Sequence, residues 1–414
     1  MNRKLFTELR TIYSGHNTIR IRIRMRDLID PDALRDAVDT TMKRYPYFCV
    51  EIQRDPELCF ADNPRPVVIS SSLSGVELNA KESNFHLISF SCTDNWIEMD
   101  ISHAMTDGTG AYEVIRTLLY YYVSRRYGLE LPTDGIRIVG DAISPEEWVD
   151  PVLTAENLPT PGRTDLSRAL NVVRAAGLEA KRNPTVYSIA IPEDEFMRFN
   201  IENDGSPATM VSLFLSRAIA NCFPNSNDVI RVTMCVNQRK ALRAPKAHQT
   251  LVGGVMLEYK DKMRDWPLDR QATAYRGMVF AQSMEEKVLE GVASQKGINQ
   301  LILSKASVQE RKAVAGMIKD LSARIMTATV SYVGKANYHE AEKYIRDFRL
   351  WTQSTGDTIL IEISAVNGRF TLDFMQPFSD PFVLNAFLKE LDENGITFDL
   401  QDVHSLELPK CAEV

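Results

Sequence analysis

The chain has 414 residues, of which 44% are hydrophobic and 25% charged, with a formal net charge of -7 and a sequence pI near 5.6. That is ordinary globular composition rather than fibrous, disordered or membrane composition, and at roughly 150 residues per domain it allows two or three domains with a sizeable core. The acidic balance argues against a nucleic-acid partner, no run approaches the roughly 18 apolar residues of a membrane span, and "MNRKLFTELRTIYSG" lacks a signal-peptide core, so a cytoplasmic protein is expected.

Thr18 to Arg26, "TIRIRIRMR", alternates strictly. It predicts a half-buried strand with Ile19, Ile21, Ile23 and Met25 inward and its arginines on a solvated face. After Asp30 and Pro31, the positions Leu34, Ala37, Val38 and Met42 share one helical face, and the helix should stop before Pro46. "FHLISFSC" and "WIEMDISH" flank Asp94 and Asn95 and read as a hairpin. A helix through Ala111, Val114, Ile115, Leu118, Leu119 and Tyr122 follows, with Gly128 as its stop, and Tyr120 to Tyr122 read as packing residues of that helix. Residues 129 to about 184 are irregular apart from a helix-like stretch, "LSRALNVVRAAGLEAK".

The second half repeats the order. "TVYSIAIP" is a strand, "ATMVSLFLSRAIANCF" a helix, and "TILIEISAV" with "RFTLDFMQ" a hairpin around Asn367 and Gly368. Asp380, Pro381 and Gly395 then bracket a last helix. Laying Asn367 on Asp94 places Gln376 on His103 and Asp380 on Asp107, so the first half reads HxxxDG where the second reads QxxxD. The expected division is a lobe over 1–165, a crossover over 166–184 and a lobe over 185–414, with the chemistry in the first lobe. The cysteines at 49, 59, 92, 222, 235 and 411 are scattered without a CxxC pair, as reduced structural thiols would be.

The stretch "SHAMTDGTG" stands where the first hairpin hands over to its helix. His103 shares a strand face with Ile97, Met99 and Ile101, opposite Glu98, Asp100 and Ser102. A buried imidazole stays neutral and can accept a proton near pH 7, as a general base must. Asp107 can pin the loop by pairing with an arginine, Gly108 and Gly110 let the backbone approach a ligand, and the helix N-terminal amides favour an oxyanion or a phosphate. Two other readings stay open at this point: a satisfied core histidine followed by an Asp N-cap, and a metal site in which His86 faces His103 across the hairpin. The chain has no GxSxG, Walker, HExxH or usable GxGxxG string.

These residues resemble the chloramphenicol acetyltransferase-like superfamily, in particular alcohol acetyltransferases and the condensation domains of nonribosomal peptide synthetases. "LRDAVDTTMKRYPYF" is similar to the first family helix, "WIEMDISHAMTDGTG" to the HxxxDG segment, "TMCVNQRKALR" to the strand with an Asn-x-Arg element, and "TVSYVGKAN" to the Ser-x-x-Gly strand. The resemblance spans nearly the whole chain. It implies an α/β (α+β) fold of two pseudo-symmetric lobes, each a mixed sheet with flanking helices, and a tunnel between them for an acyl thioester and an acceptor. It implies His103 as the base, Asp107 as its structural partner in a salt bridge with Arg239, and Gly108 or Ser331 as the oxyanion donor. Acyl-CoA and a small alcohol or amine would be the partners, with an acyl carrier protein as another donor, and no tightly bound cofactor or metal is implied. The chain departs from the family in having Ser102 where condensation domains carry a second histidine, in lacking the DFGWG element of plant acyltransferases, and in standing without a carrier domain. The last departure makes a free thioester the simpler donor. The rival to an acyltransferase is an inactive relative kept for binding or scaffolding.

Overall fold

Strict alternation does make Thr18–Met25 a strand, β1, whose four apolar side chains are buried. The computed structural model describes residues 8–12, 17–54, 58–354 and 356–412. Chain order continues with the helix Pro31–Arg44, a small hairpin of β2 (Val50–Arg54) and β3 (Leu58–Asp62), the short β4 (Ile69–Ser70), then β5 (Ile88–Thr93) and β6 (Trp96–Ser102). Asp30 caps the first helix by accepting from the amides of Asp32 and Ala33, as its place before Pro31 suggests. Thr93 pairs with Trp96 across the β5–β6 turn, where Asp94 takes a left-handed φ of 47°. The helix Gly108–Tyr127 follows and ends at Gly128, whose φ is 63°. Tyr122 is buried, and its hydroxyl accepts from the amide of Asp30.

The second half opens with β7 (Thr185–Pro192), the helices Glu193–Glu202 and Pro207–Cys222, and β8 (Ile230–Asn237) with β9 (Val252–Tyr259). Three helices, Leu268–Ser283, Glu285–Leu303 and Val308–Arg324, precede β10 (Ala328–Tyr332) and β11 (Ile345–Trp351). The hairpin of β12 (Ile359–Val366) and β13 (Arg369–Gln376), the helix Phe382–Glu393 and β14 (Asp399–Ser405) complete the chain.

Two mixed sheets carry the lobes, ordered β11-β1-β6-β5-β4 and β14-β7-β13-β12-β10-β8-β9. Each buries one face under helices. Ile19, Ile21, Ile97, Met99 and Ile101 pack with Leu34, Val38, Ile115 and Leu118 in the first lobe, and Val330, Ile361, Leu372 and Phe374 pack with Phe214, Ile219, Leu384 and Phe387 in the second. At about 0.025 kcal/mol per Å² of apolar area removed from water, these two cores are the main driving force for each lobe.

Three features differ from the sequence expectations. Sheet membership does not follow the 1–165 and 185–414 division, because β11, which lies between β10 and β12 in the chain, leaves its lobe and pairs antiparallel with β1 from Arg20↔Trp351 to Met25↔Ile345. The lobes therefore interlock. The arginine face of β1 is not solvated: Arg20 is buried and holds Asp100 through Nε at 2.8 Å and Nη2 at 2.9 Å, and Arg22 pairs with Glu98 and stacks over Trp351. The C-terminal segment covers it, with Arg20 Nη1 reaching the Glu407 carbonyl and Thr18 Oγ1 the Pro409 carbonyl. Finally, the helix expected near residues 166–181 is confined to Val172–Ala175. Asn171 caps it late, through the amide of Arg174, and Gly177 ends it at a φ of 65°. Among the described residues no helix is long and apolar enough to cross a membrane.

Candidate active site

Strand β6 stops at Ser102, and His103 lies just past the ladder, its amide donating to the carbonyl of Asn17 at 2.9 Å. A tight turn, with the Met105 amide on the Ser102 carbonyl, carries the chain to Asp107, the N-cap of the Gly108–Tyr127 helix. Asp107 is buried and fully engaged. Its Oδ1 accepts from the Gly110 amide at 3.0 Å and Arg239 Nη2 at 2.8 Å; its Oδ2 accepts from Arg239 Nη1 at 3.0 Å and the Leu251 amide at 2.9 Å.

Arg239 in turn spends every donor. Nε goes to the Ala247 carbonyl, Nη1 also to Asn237 Oδ1, and Nη2 also to the Gln249 carbonyl. The bidentate ion pair thus ties the loop after β8 to the loop after β6, one from each half of the chain. Thr106 Oγ1 adds a bond to the His248 carbonyl, and Gly110 is required beside it: a Cβ there would lie 2.1 Å from Thr106 Oγ1 and 2.7 Å from the His248 oxygen. Gly108 also faces tight space, since its Cβ would lie 2.7 Å from the Val333 side chain.

Two cavities adjoin at His103, both lined by Asn17, Val236, Thr250 and Val252 as well. The larger, about 480 Å³, is bordered by Arg10, Asp150, Gln282, Lys287 and Asn299. The smaller, about 260 Å³, is bordered by Asp107, Gly108, Cys235, Ser331, Tyr332 and Glu362. The structure therefore brings His103, Asp107, Gly108 and Ser331 to one cavity and sets Arg239 behind it, buried. Enclosure, above all, pulls the His103 imidazole below its ordinary value, with the Asp107 charge opposing that shift, so the ring is neutral at pH 7. Its own backbone and that of Thr106 both offer the ring a hydrogen bond.

His86 does not join this group. It is buried with Nε2 on the Arg65 carbonyl at 2.7 Å, and it lines neither cavity. Asp107 has no lone pair to spare either, so the metal site considered above, with His86 facing His103, is not assembled. No group of three or more His, Cys, Asp or Glu among the described residues could hold a metal ion.

Sequence reasoning missed a buried polar row on the second sheet. Ser188, Asp373, Glu362 and Ser331 stand opposite one another on β7, β13, β12 and β10, and the Ser331 hydroxyl lies beside both Glu362 and Cys235. Burial pushes the Glu362 carboxyl up to about 8, that of Asp373 to about 6 and the Cys235 thiol to about 12. The one trace of this row at Glu362 in the sequence is a lone glutamate inside the apolar run "ILIEISAV".

Comparison with protein-family models finds no match, nor does comparison with curated proteins. Solved structures do match along nearly the whole chain. Polyketide synthase associated protein 5 from Mycobacterium tuberculosis is 15% identical with a TM-score of 0.61, covering 94% of this chain and 97% of that one. TRI101 of F. sporotrichioides, solved in complex with coenzyme A and T-2, is 10% identical with a TM-score of 0.60 over 95% and 98% of the two chains. The nonribosomal peptide synthetase FmoA3 is 13% identical with a TM-score of 0.60, and 95% of this chain matches 42% of it. The chain shares the two-lobed fold of these solved structures.

Proposed function

We propose that this protein is an acyltransferase that moves an acyl group from a thioester, of coenzyme A or a carrier protein, to a small alcohol or amine. The observation that carries the reading is the position of His103: a neutral imidazole at the junction of two cavities, on a loop pinned by the Asp107–Arg239 pair. One ring nitrogen keeps its proton on a backbone carbonyl, and the other is the basic nitrogen. It takes the proton of the acceptor hydroxyl or amine as that atom attacks the thioester carbonyl. The tetrahedral oxyanion is met by the Ser331 hydroxyl or the Gly108 amide, a helix N-terminal donor with no partner inside the helix. Collapse breaks the C–S bond, and the imidazolium returns the proton to the leaving thiolate. Asp107 touches no reacting atom in this scheme; it is a positioning residue.

We assign the donor to the larger cavity and the acceptor to the smaller. The first is the larger and is bordered by Lys287 and Arg10, paired with Glu290 and Asp150, which suits a long donor that carries phosphate, whereas no basic side chain among the described residues borders the second. Support for a coenzyme A donor comes from TRI101, whose structure holds coenzyme A. The test is thiol release from acetyl-CoA and longer acyl-CoAs with a panel of alcohols and amines, comparing wild type with His103→Ala, with and without chelator. Release that needs His103 and survives the chelator supports the reading. Transfer only from an acylated carrier protein redirects the donor assignment, and no transfer from either donor leaves a binding or scaffold protein.

A further inference from the structure

We propose that the acceptor taken by the smaller cavity carries a cationic amine, which Glu362 holds while the reacting group meets His103. The inference rests on reading that cavity as the acceptor site. Among the described residues no lysine or arginine borders it. Its acidic side chains are Asp107, whose oxygens are consumed by Arg239 and two amides, and Glu362, which is 5% exposed.

The groups around Glu362 supply no counter-charge. On β10 it meets the Ser331 hydroxyl, with Tyr332 next along that strand; across β8 stands the neutral thiol of Cys235; on β13 its opposite number is another carboxyl, Asp373; and from the Gly108–Tyr127 helix comes the phenol of Tyr112. The buried arginine of β11, Arg349, is spent on Asp373, Asp347 and Gln401. A buried carboxylate without a cation is costly, so Glu362 on its own is the neutral acid, consistent with its raised pKa. A ligand ammonium provides the missing charge, and the Tyr332 ring, which borders the cavity, adds a face on which a cation is favoured. The product is a buried, hydrogen-bonded ion pair between protein and acceptor.

This arrangement has a proton signature. Binding an ammonium converts Glu362 to its carboxylate, so below pH 8 complex formation releases up to one proton, and affinity for the cation climbs with pH toward about 8 before levelling. A neutral acceptor releases none.

Calorimetric titration of the whole chain tests the proposal, with ω-amino alcohols of graded length, each paired with the n-alcohol in which a methyl replaces the ammonium. Buffers of different ionisation enthalpy count the protons. The expected result is a preference for the matching amino alcohol of roughly thirtyfold or more, with proton release, both lost in Glu362→Gln. Equal affinities within pairs, an absence of proton release in wild type, or a preference that survives Glu362→Gln overturns it. The wild-type measurement stands even where the variant fails to fold. No donor or turnover is needed, so cation binding without thiol release sinks the acyltransferase reading alone, and thiol release without cation preference sinks this inference alone.

Discussion

Removing the Asp107 carboxylate tests how the site is held. In Asp107→Ala, the Arg239 guanidinium, itself 5% exposed, keeps its place among the carbonyls of Ala247 and Gln249 but loses its ion-pair partner. An uncompensated buried charge of this kind costs about 3–5 kcal/mol. Loss of the bond to the Gly110 amide adds an N-cap loss of about 1 kcal/mol, and the Leu251 amide is orphaned as well. These contributions overlap, so about 4 kcal/mol is expected. With an unfolding entropy of roughly 2.1 cal/mol/K per residue, that lowers the melting temperature by about 5 °C if the interlocked lobes unfold together. The assay is a double-mutant cycle by thermal and denaturant unfolding with Asp107→Ala, Arg239→Met and the pair. The double variant should be more stable than the sum of the single losses predicts, by about 1–3 kcal/mol, since it removes both buried charges. A single-variant loss within about 0.5 kcal/mol, the range of surface substitutions, or strict additivity in the cycle, refutes the argument that this pair fastens the two loops.

The acid limb of kcat/KM should have its midpoint below the ordinary histidine value of about 6.5, because enclosure favours neutral His103 and the neutral ring is the active form; activity rises with pH through that midpoint, and a midpoint above 6.5 contradicts the assignment. Gly110→Ala should cost about 1–3 kcal/mol or more, read from denaturant midpoints, since the new methyl meets the His248 backbone oxygen as well as the Thr106 hydroxyl. Ser331→Ala should lower kcat about 100-fold with little change in melting temperature if its hydroxyl serves the oxyanion; an unchanged kcat hands that role to the Gly108 amide.

Local pattern carried the fold as far as local forces decide it. Ile19, Ile21 and Ile23 alternate because one face of β1 is core, and Asp94 and Asn367 sit in tight turns that their short polar side chains favour. The Asp107–Arg239 pairing joins residues far apart in sequence, and the family resemblance, not periodicity, pointed to it. What periodicity could not carry was decided at long range. Whether Arg20 meets water or Asp100 depends on a C-terminal segment that reaches it only in the folded chain. The exchange of β11 between sheets has no signature within "IRDFRLW", and the apolar stripes of the helices Leu268–Ser283 and Val308–Arg324 are blurred by exposed Phe280 and Met317. Glu362 was missed for a related reason, since a strand inside a sheet reads as a continuous apolar run, and a polar residue in it acquires meaning only from the strands beside it.

The two hairpins show why chemistry is assigned to one lobe of a repeated plan. Both turn on a left-handed residue, Asp94 with φ 47° and Asn367 with φ 49°, and both run into a helix after a short loop. In the second lobe the residue aligned with His103, Gln376, is still inside the ladder, paired with Thr185, and its amide is spent on the carbonyls of Phe378 and Asp380 while Asp380 takes the Phe382 amide. It is sealed, and no imidazole there could meet a ligand. In the first lobe β6 ends one residue sooner relative to the turn, so the equivalent side chain emerges past the last rung, where the loop from the other lobe leaves open space. The same hairpin, loop and helix therefore serve as a closed cap in one copy and an open site in the other, with the difference set by where the ladder stops. Extending the β6 ladder by one rung should bury His103 as Gln376 is buried.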